Sequence, residues 1–175
     1  MPIDPAREFR PVNIALLTVS DTRTPADDTS GDILAHRIRD AGHHLVVRAI
    51  ERDDLDALAA RLNGLIDDPA IDVVITTGGT GLTGRDVTPE AFDRVKEKDI
   101  PGFGELFRWL SFRSIGTSTV QSRACAVVSR GTYLFALPGS NGAVKDGWDG
   151  ILAEQLDSRN RPCNFVDLLP RLQEQ

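Results

Sequence analysis

The stretch DVVITTGGTG, residues 72–81, decides the fold class of this chain. Its first six residues form a short apolar run rich in β-branched side chains, which is typical of a strand buried in a sheet. The run enters a turn that contains three glycines, and Thr88 and Pro89 beyond it have the residue types of a helix N-cap and a first helical residue. A strand that passes through a glycine turn into a helix predicts an α/β protein.

The same alternation of strand and helix extends in both directions from this stretch. The further predicted strands are residues 13–19, 44–50, 124–128 and 133–137. The further predicted helices end at Gly42, cover residues 55–65, cover residues 102–115 and begin after Ser140 as N-cap. Because parallel strands need crossover connections and these crossovers are helical, we predict a mostly parallel sheet that is covered on both faces.

Length and charge limit the class of protein. A chain of 175 residues can bury a core large enough for one domain, residues 1–175, in which we expect a flexible segment at residues 1–10 and a C-terminal tail at residues 157–175. The net charge of −6 argues against capture of nucleic acid, which depends on clustered Lys and Arg. No apolar run approaches the ~20 residues of a membrane span, and the polar N-terminus has no apolar signal region. We therefore expect a cytoplasmic protein without nucleic-acid or membrane partners.

The glycine turn is a candidate anion site. Gly78, Gly79, Thr80 and Gly81 follow a predicted strand, and adjacent glycines let backbone N–H groups approach a phosphate. The turn lacks the Gly-Lys-Ser/Thr ending of a Walker A loop, and it is not the GxGxxG dinucleotide fingerprint. A tight connection without a ligand is the alternative interpretation.

Two aspartates are candidate metal ligands at the same sheet edge. Asp86 lies a few residues beyond the glycines, and Asp53 follows the second predicted strand. A carboxylate beside bound phosphate is repelled unless a cation lies between them, and Mg²⁺ takes one or two carboxylates together with phosphate oxygens. The alternative is that both acids cap or charge helix starts, a role for which Asp54 is the better candidate than Asp53.

Short polar side chains follow two other strands. Ser20 and Asp21 end the first predicted strand, and Ser140 and Asn141 follow the last one. Their hydroxyl, carboxylate and amide groups can orient a polar ring or a phosphate at this edge. Turn and N-cap hydrogen bonds explain each of these residues slightly better than ligand binding does.

Seven short motifs occur in order along nearly the whole chain. They are residues 18–21 (TVSD), 28–31 (DTSG), 41–43 (AGH), 76–81 (TTGGTG), 85–90 (RDVTPE), 101–105 (PGFGE) and 137–140 (LPGS). In this order and over this length, they resemble the MoaB/MogA family of molybdopterin-binding proteins. Residues 111–112 (SF), 115–118 (IGTS) and 156–165 (LDSRNRPCNF) resemble the MoaB branch in particular.

The resemblance implies a fold, a reaction and a set of site residues. It implies a three-layer α/β/α sandwich that forms homotrimers, often paired into homohexamers, and binds molybdopterin, a pterin dithiolene with a terminal phosphate. In adenylyl-transferring relatives, AMP from Mg-ATP is joined to that phosphate and pyrophosphate is released. The two acids essential there fall on Asp53 and Asp86, as catalytic residues and Mg²⁺ ligands. The implied substrate-binding residues are Ser20, Asp21, Thr77, Gly78, Gly79, Thr80, Gly81, Ser122 and Ser140.

One motif departs from the family pattern. Active relatives usually have Pro-Asp-Glu after the second strand, whereas this chain has Arg52-Asp53-Asp54, which keeps the acid but loses the proline that fixes the backbone. Some MoaB proteins bind molybdopterin without transferring AMP. The resemblance implies a molybdopterin adenylyltransferase. Two alternatives stay open, a non-catalytic pterin-binding protein of the same pathway and a structural oligomer with a vestigial pocket.

Overall fold

Six strands form one sheet in the computed structural model, which describes residues 3–174. The strands are β1 (Asn13–Val19), β2 (His44–Glu51), β3 (Val73–Thr77), β4 (Lys98–Asp99), β5 (Cys125–Ser129) and β6 (Thr132–Leu137). Their order across the sheet is β2-β1-β3-β6-β5-β4. Strands β2, β1, β3 and β6 are parallel, whereas β5 is antiparallel to β6 and β4 is antiparallel to β5. The predicted mostly parallel sheet is confirmed.

Helices connect the strands and complete the chain. The α-helices are α1 (Thr29–Asp40), α2 (Leu55–Ile66), α3 (Thr88–Val95), α4 (Pro101–Ile115), α5 (Asn141–Gly147), α6 (Ala153–Gln155) and α7 (Phe165–Leu168). Short 3₁₀ helices cover Gly116–Gln121 and Leu169–Arg171, and a π-helical turn, Trp148–Leu152, joins α5 to α6. Among residues 3–174, no helix is long and apolar enough to cross a membrane.

Several predicted helix ends have the expected chemistry. Asp54 caps α2 by accepting a hydrogen bond from the Ala57 backbone N–H at 2.8 Å. Ser140 caps α5 in the same way, with 3.2 Å between its Oγ and the Ala143 nitrogen. Gly42, just beyond α1, has a φ of 86°, a conformation that glycine adopts without strain.

Two apolar cores lie on opposite faces of the sheet. Successive residues of β1 alternate between them, so that Ile14 belongs to one core and Ala15 to the other. The first core includes buried side chains of α1, α4 and α5, and the second includes those of α2 and α3. Every residue of β3 and β6 is buried, as expected for strands covered on both faces. The three-layer α/β/α sandwich implied by the family resemblance is thereby confirmed.

A tight hairpin joins β5 to β6. Its two turn residues, Arg130 and Gly131, have φ values of 46° and 89°, and two positive φ angles give the twist that antiparallel neighbours need. The two strands were predicted from their apolar runs. The adjoining strand β4 was not, because its two residues are exposed and polar and therefore carry no apolar pattern.

The two ends of the chain contact each other. Ile3 forms a β-bridge with Asn160, and Arg7 donates to Asp167 at 2.8 Å. Ser158 is buried, accepts from the Arg10 backbone N–H and donates to the Glu8 carbonyl, both at 2.9 Å. The C-terminal tail is therefore packed against the N-terminal segment. The flexibility of residues 1–10 and the single-domain organisation stay predictions.

Candidate functional site

A cavity of about 630 Å³ opens at the carboxyl edge of the parallel strands, which is where open α/β sheets bind their ligands. Segments that follow β1, β3 and β6 line it, together with the end of α4 and the segment before β5. The sequence-predicted residues in its lining are Ser20, Thr77, Gly78, Gly79, Thr80, Gly81, Asp86, Ser122 and Ser140. Asp21 and Asp53 lie outside the lining.

The glycine turn packs against the ends of two neighbouring strands. The Gly78 backbone N–H donates to the Leu137 carbonyl at 2.9 Å, and a Cβ at Gly78 would lie 2.2 Å from the Val19 carbonyl oxygen. Gly78 and Gly79 also have φ values of 105° and 63°. Only glycine fits this contact and this backbone conformation, so the turn presents bare backbone to the cavity.

Thr88 supports the turn and does not cap the following helix. Val87 is the N-cap of α3 and makes no side-chain cap hydrogen bond, so the predicted N-cap was wrong by one residue. Thr88 is instead the first helical residue, and its buried hydroxyl donates to the Gly78 carbonyl at 2.9 Å. The Thr88 hydroxyl therefore bonds to the glycine turn and is not used to cap α3.

Asp53 and Asp86 lie against this same turn. A Cβ at Gly79 would be 3.0 Å from the Asp53 Oδ1, and a Cβ at Gly81 would be 2.7 Å from the Asp86 Oδ2. Both glycines therefore leave room for a carboxylate. Asp86 faces the cavity, and its Oδ2 accepts hydrogen bonds from the backbone N–H and the hydroxyl of Thr83, at 2.9 and 2.6 Å.

The two acids differ in proton affinity. Partial burial raises the pKa of Asp53 above its ordinary value of 3.8, and repulsion from the carboxylates of Asp21 and Asp86 adds to the rise. Burial alone would also raise the pKa of Asp86, but hydrogen bonds from Thr83 outweigh it and hold this pKa below 3.8. The concentration of negative charge favours a cation at this position.

Carboxylates near the turn suit a cation shared with a ligand. Within residues 3–174, no three His, Cys, Asp or Glu side chains form a group that could hold a metal ion by themselves. Asp53 and Asp86 do offer the oxygen donors that Mg²⁺ takes together with phosphate oxygens. The chemistry of the donors thus fits Mg²⁺ that is shared with the phosphate oxygens of a ligand.

Asp21 supports the loop that carries Asp53. Its Oδ1 accepts from the Asp53 backbone N–H at 3.3 Å, and its Oδ2 accepts from the Arg85 Nε at 2.9 Å. The hydrogen bond from Arg85 lowers the pKa of Asp21, so this exposed side chain is an ionised partner of Arg85. Asp21 therefore ties the loop after β2 to the loop after β3.

Arg23 was missed by the sequence analysis. Among residues 3–174, it is the only basic residue that lines the cavity. Its guanidinium donates to the Gly139 carbonyl at 2.7 Å, to the Asp28 Oδ1 at 3.4 Å and to the Ser30 hydroxyl. It thereby joins the loop after β1 to the loop after β6. Its contact with Gly139 spans 116 residues of sequence, so no local pattern could have revealed it.

A buried carboxylate holds Arg23 in place. Asp28 is 1% exposed and accepts from the Thr18 hydroxyl at 2.8 Å, the Gly31 N–H at 3.0 Å and Arg48 at 3.1 Å. Burial alone would raise the pKa of Asp28, but these hydrogen bonds outweigh it and hold the pKa below 3.8. Asp28 is therefore an ionised anchor beneath one wall of the cavity.

Two further missed residues complete the surroundings of the site. Arg123 donates to the Gly81 carbonyl at 2.7 Å and to the Asp86 carbonyl at 2.8 Å, which braces both ends of the segment between them. Asp146 lines the cavity from α5, two turns after Ser140. Helical spacing from Ser140 through Ala143 is the signal that could have identified Asp146.

Comparison with known proteins points to one family. A family model described as "Probable molybdopterin binding domain" matches residues 15–158. The chain is 49% identical over 158 residues to molybdenum cofactor biosynthesis protein B of Escherichia coli K12, covering 90% of this chain and 93% of that protein. It is 41% identical over 146 residues to the protein of the same name from Bacillus subtilis 168, covering 83% and 86%.

Solved structures show the same likeness. A crystal structure of molybdenum cofactor biosynthesis protein B superposes with a TM-score of 0.86 at 34% identity, covering 97% of this chain and all of that one. The tungsten cofactor synthesizing protein MoaB from Pyrococcus furiosus superposes with a TM-score of 0.77 at 33% identity, covering 94% and 99%. The similarity thus extends over nearly the full length of these chains.

Proposed function

This chain belongs to the family of molybdopterin-binding domains that includes molybdenum cofactor biosynthesis protein B, and from that premise we propose that it is a molybdopterin adenylyltransferase. An oxygen of the molybdopterin terminal phosphate attacks the α-phosphorus of ATP, the bond from that phosphorus to the bridging oxygen breaks, and pyrophosphate leaves. The observation that carries the proposal is the placement of Asp53 and Asp86 against one glycine turn at the edge of the cavity.

The residues around the turn have separate roles in this reaction. The bare backbone from Gly78 to Gly81 cradles a phosphate, and Arg23 supplies positive charge to the same cavity. Asp53 and Asp86 hold Mg²⁺, which offsets the repulsion between the phosphates when it is bound with ATP. Because the attacking phosphate is already an anion at neutral pH, the protein contributes position and charge and needs no general base.

The loop around Asp53 is supported without the proline that is usual in active relatives. Asp54 caps α2, and the Asp53 backbone N–H is held by Asp21. These two hydrogen bonds restrict the loop at Asp53 and at Asp54. In active relatives, a proline before the acid restricts the backbone of the same loop. This arrangement favours the adenylyltransferase over a protein that binds molybdopterin in the cytoplasm without transferring AMP.

Pyrophosphate release tests the proposal. We expect the purified protein to release pyrophosphate from Mg-ATP only when molybdopterin is present. Molybdopterin binding without pyrophosphate release would overturn the enzyme and leave the non-catalytic pterin-binding protein. Binding of neither ligand would leave the structural oligomer.

We further propose that the chain forms a homotrimer or homohexamer through the outer side of α4. Phe107 of this helix is buried in the core, whereas Trp109 and Phe112 are 61% and 55% exposed, and Ile115 and Val120 beyond them are also exposed. Apolar side chains that are grouped on a surface in this way mark a protein interface. The exposure of Trp109 therefore favours assembly over core packing for this part of the helix.

Replacing Phe112 with glutamate should disperse the assembly, because burying an unpaired charge costs several kcal/mol. Light scattering should give three or six times the 19.1 kDa of one chain for the unmodified protein and a single chain for Phe112→Glu. Leu168→Glu is the control, since Leu168 is exposed in α7, outside the α4 surface. A single chain for the unmodified protein would contradict this proposal.

A further inference from the structure

One wall of the cavity carries a carboxylate that adenylyl transfer does not use. Asp146 of α5 is half-buried and lines the same cavity as the glycine turn. Its Oδ2 accepts a hydrogen bond from the Ser111 hydroxyl in α4 at 3.2 Å. The Ser114 hydroxyl lies 3.3 Å from the same oxygen and shares its one proton between Asp146 and the Ser111 carbonyl, which is 3.0 Å away. The carboxylate is thus held at a fixed position by a second helix.

The other oxygen of Asp146 is available to a ligand. Within residues 3–174, Oδ1 makes no hydrogen bond or ion pair, whereas the two serine hydroxyls occupy Oδ2. A carboxylate oxygen has two lone-pair sites, so Oδ1 can accept from two adjacent N–H donors. Phe107 and Ile115 line the cavity as well, and their apolar surface suits the face of a flat ring.

The cavity therefore combines two kinds of chemistry. The glycine turn and Arg23 suit an anion, whereas Asp146 repels one and suits a donor of hydrogen bonds. A ligand that fills both parts needs a phosphate in one portion and adjacent N–H groups in another. The 2-amino-4-oxo edge of a pterin has such donors, the exocyclic amino group and the ring N3–H. Adenine places an acceptor nitrogen beside its amino group, which a carboxylate disfavours.

We propose that Asp146 is the specificity-determining residue that recognises the pterin ring of molybdopterin, with Oδ1 accepting from the 2-amino and N3–H groups. The inference deepens the proposed function and depends on it, because it presumes that molybdopterin is the ligand. It fixes the orientation of the substrate, with the ring at Asp146 and the terminal phosphate at the glycine turn.

Calorimetric titration of the full chain with molybdopterin gives the first test. Asp146→Asn should raise the Kd by about 10- to 100-fold, since a hydrogen bond to a charged group is lost. The Kd for Mg-ATP should stay unchanged. Asp149→Asn is the matched control, because Asp149 lies one turn further along, pairs with Arg37 at 2.7 Å and is outside the cavity lining.

The preference of the protein for one ring over another tests whether Asp146 recognises the pterin or only supports the structure of the cavity. The unmodified protein should bind 6-methylpterin more tightly than 6-methyllumazine, in which an oxygen replaces the 2-amino group, and Asp146→Asn should lose this preference. Equal binding of the two rings by the unmodified protein, or an equal preference in both proteins, overturns the inference. Weaker Mg-ATP binding by Asp146→Asn also overturns it and assigns the nucleotide to this wall.

The outcomes distinguish the two proposals. If molybdopterin binds the unmodified protein and Asp146→Asn equally well, the pterin inference fails and the adenylyltransferase stands. If molybdopterin binds neither protein, both proposals fail together.

Discussion

Asp86→Asn is expected to lower molybdopterin-dependent pyrophosphate release by about 10²- to 10³-fold, the usual cost of removing one electrostatic contact to a transferring group. Asparagine retains an oxygen that can accept from Thr83, so the local turn should persist. In the proposed reaction, the lost feature is the negative charge that would hold Mg²⁺ beside the phosphates. The Kd for molybdopterin should change by no more than about threefold, because the proposed function places Asp86 on the metal and places molybdopterin on other residues of the cavity.

The measurement is a coupled pyrophosphate assay together with a molybdopterin titration on the same preparations. Asp93→Asn is the control, since Asp93 is an exposed acid of α3 that pairs with Lys96 outside the cavity. Asp53→Asn should behave like Asp86→Asn. Full activity in both aspartate variants would exclude this pair of acids from catalysis.

Asp28→Asn should lower the free energy of unfolding by about 3–5 kcal/mol, the cost of breaking a buried ion pair by removal of one partner. The substitution removes the charge that faces Arg23 and Arg48 from a fully enclosed position. Urea denaturation at pH 7 measures the loss. Asp32→Asn is the matched control, because Asp32 is 60% exposed, pairs with the same Arg48 at 2.7 Å and should contribute only about 0–1 kcal/mol.

The difference between the unmodified protein and Asp28→Asn should depend on pH. The pKa of Asp28 in the folded state lies below its ordinary value of 3.8, so ionisation stabilises the fold above about pH 4 and this stabilisation is lost as the pH falls through the folded-state pKa. The asparagine variant has no such titration. The gap in unfolding free energy should therefore narrow as the pH falls below about 4 and on through the folded-state pKa of Asp28, and a constant gap would show that charge is not the cause.

The sheet and its cavity-facing loops could be predicted because their signals are local. Apolar runs mark β1, β3 and β6, and glycines or short polar residues follow each of them. Since the carboxyl ends of parallel strands share one edge of the sheet, the loops that follow these strands could be predicted to lie close together. The order of the strands and the two-residue β4 carry no comparable local signal.

The residues that shape the cavity were harder to predict because their roles depend on distant partners. Arg23 is defined by Gly139, Asp28 by Arg48, and Asp146 by two serines of another helix. Asp53 was predicted as a site residue, and it lies against the glycine turn but outside the cavity lining. Sequence spacing places a loop at an edge, but the direction of each side chain is set by tertiary packing.

The hairpin between β5 and β6 also sets a dimension of the cavity. Ser122 lies just before β5 and Pro138 just after β6, and both line the cavity. Five residue pairs, from Cys125 with Ala136 to Ser129 with Thr132, lock the two strands together. The relative positions of Ser122 and Pro138 consequently depend on the pairing register of β5 and β6. That register is set by the turn at the other end of the two strands. Arg130 and Gly131, which form that turn, lie outside the cavity lining, yet they set the alignment of the two strands that lead to Ser122 and Pro138.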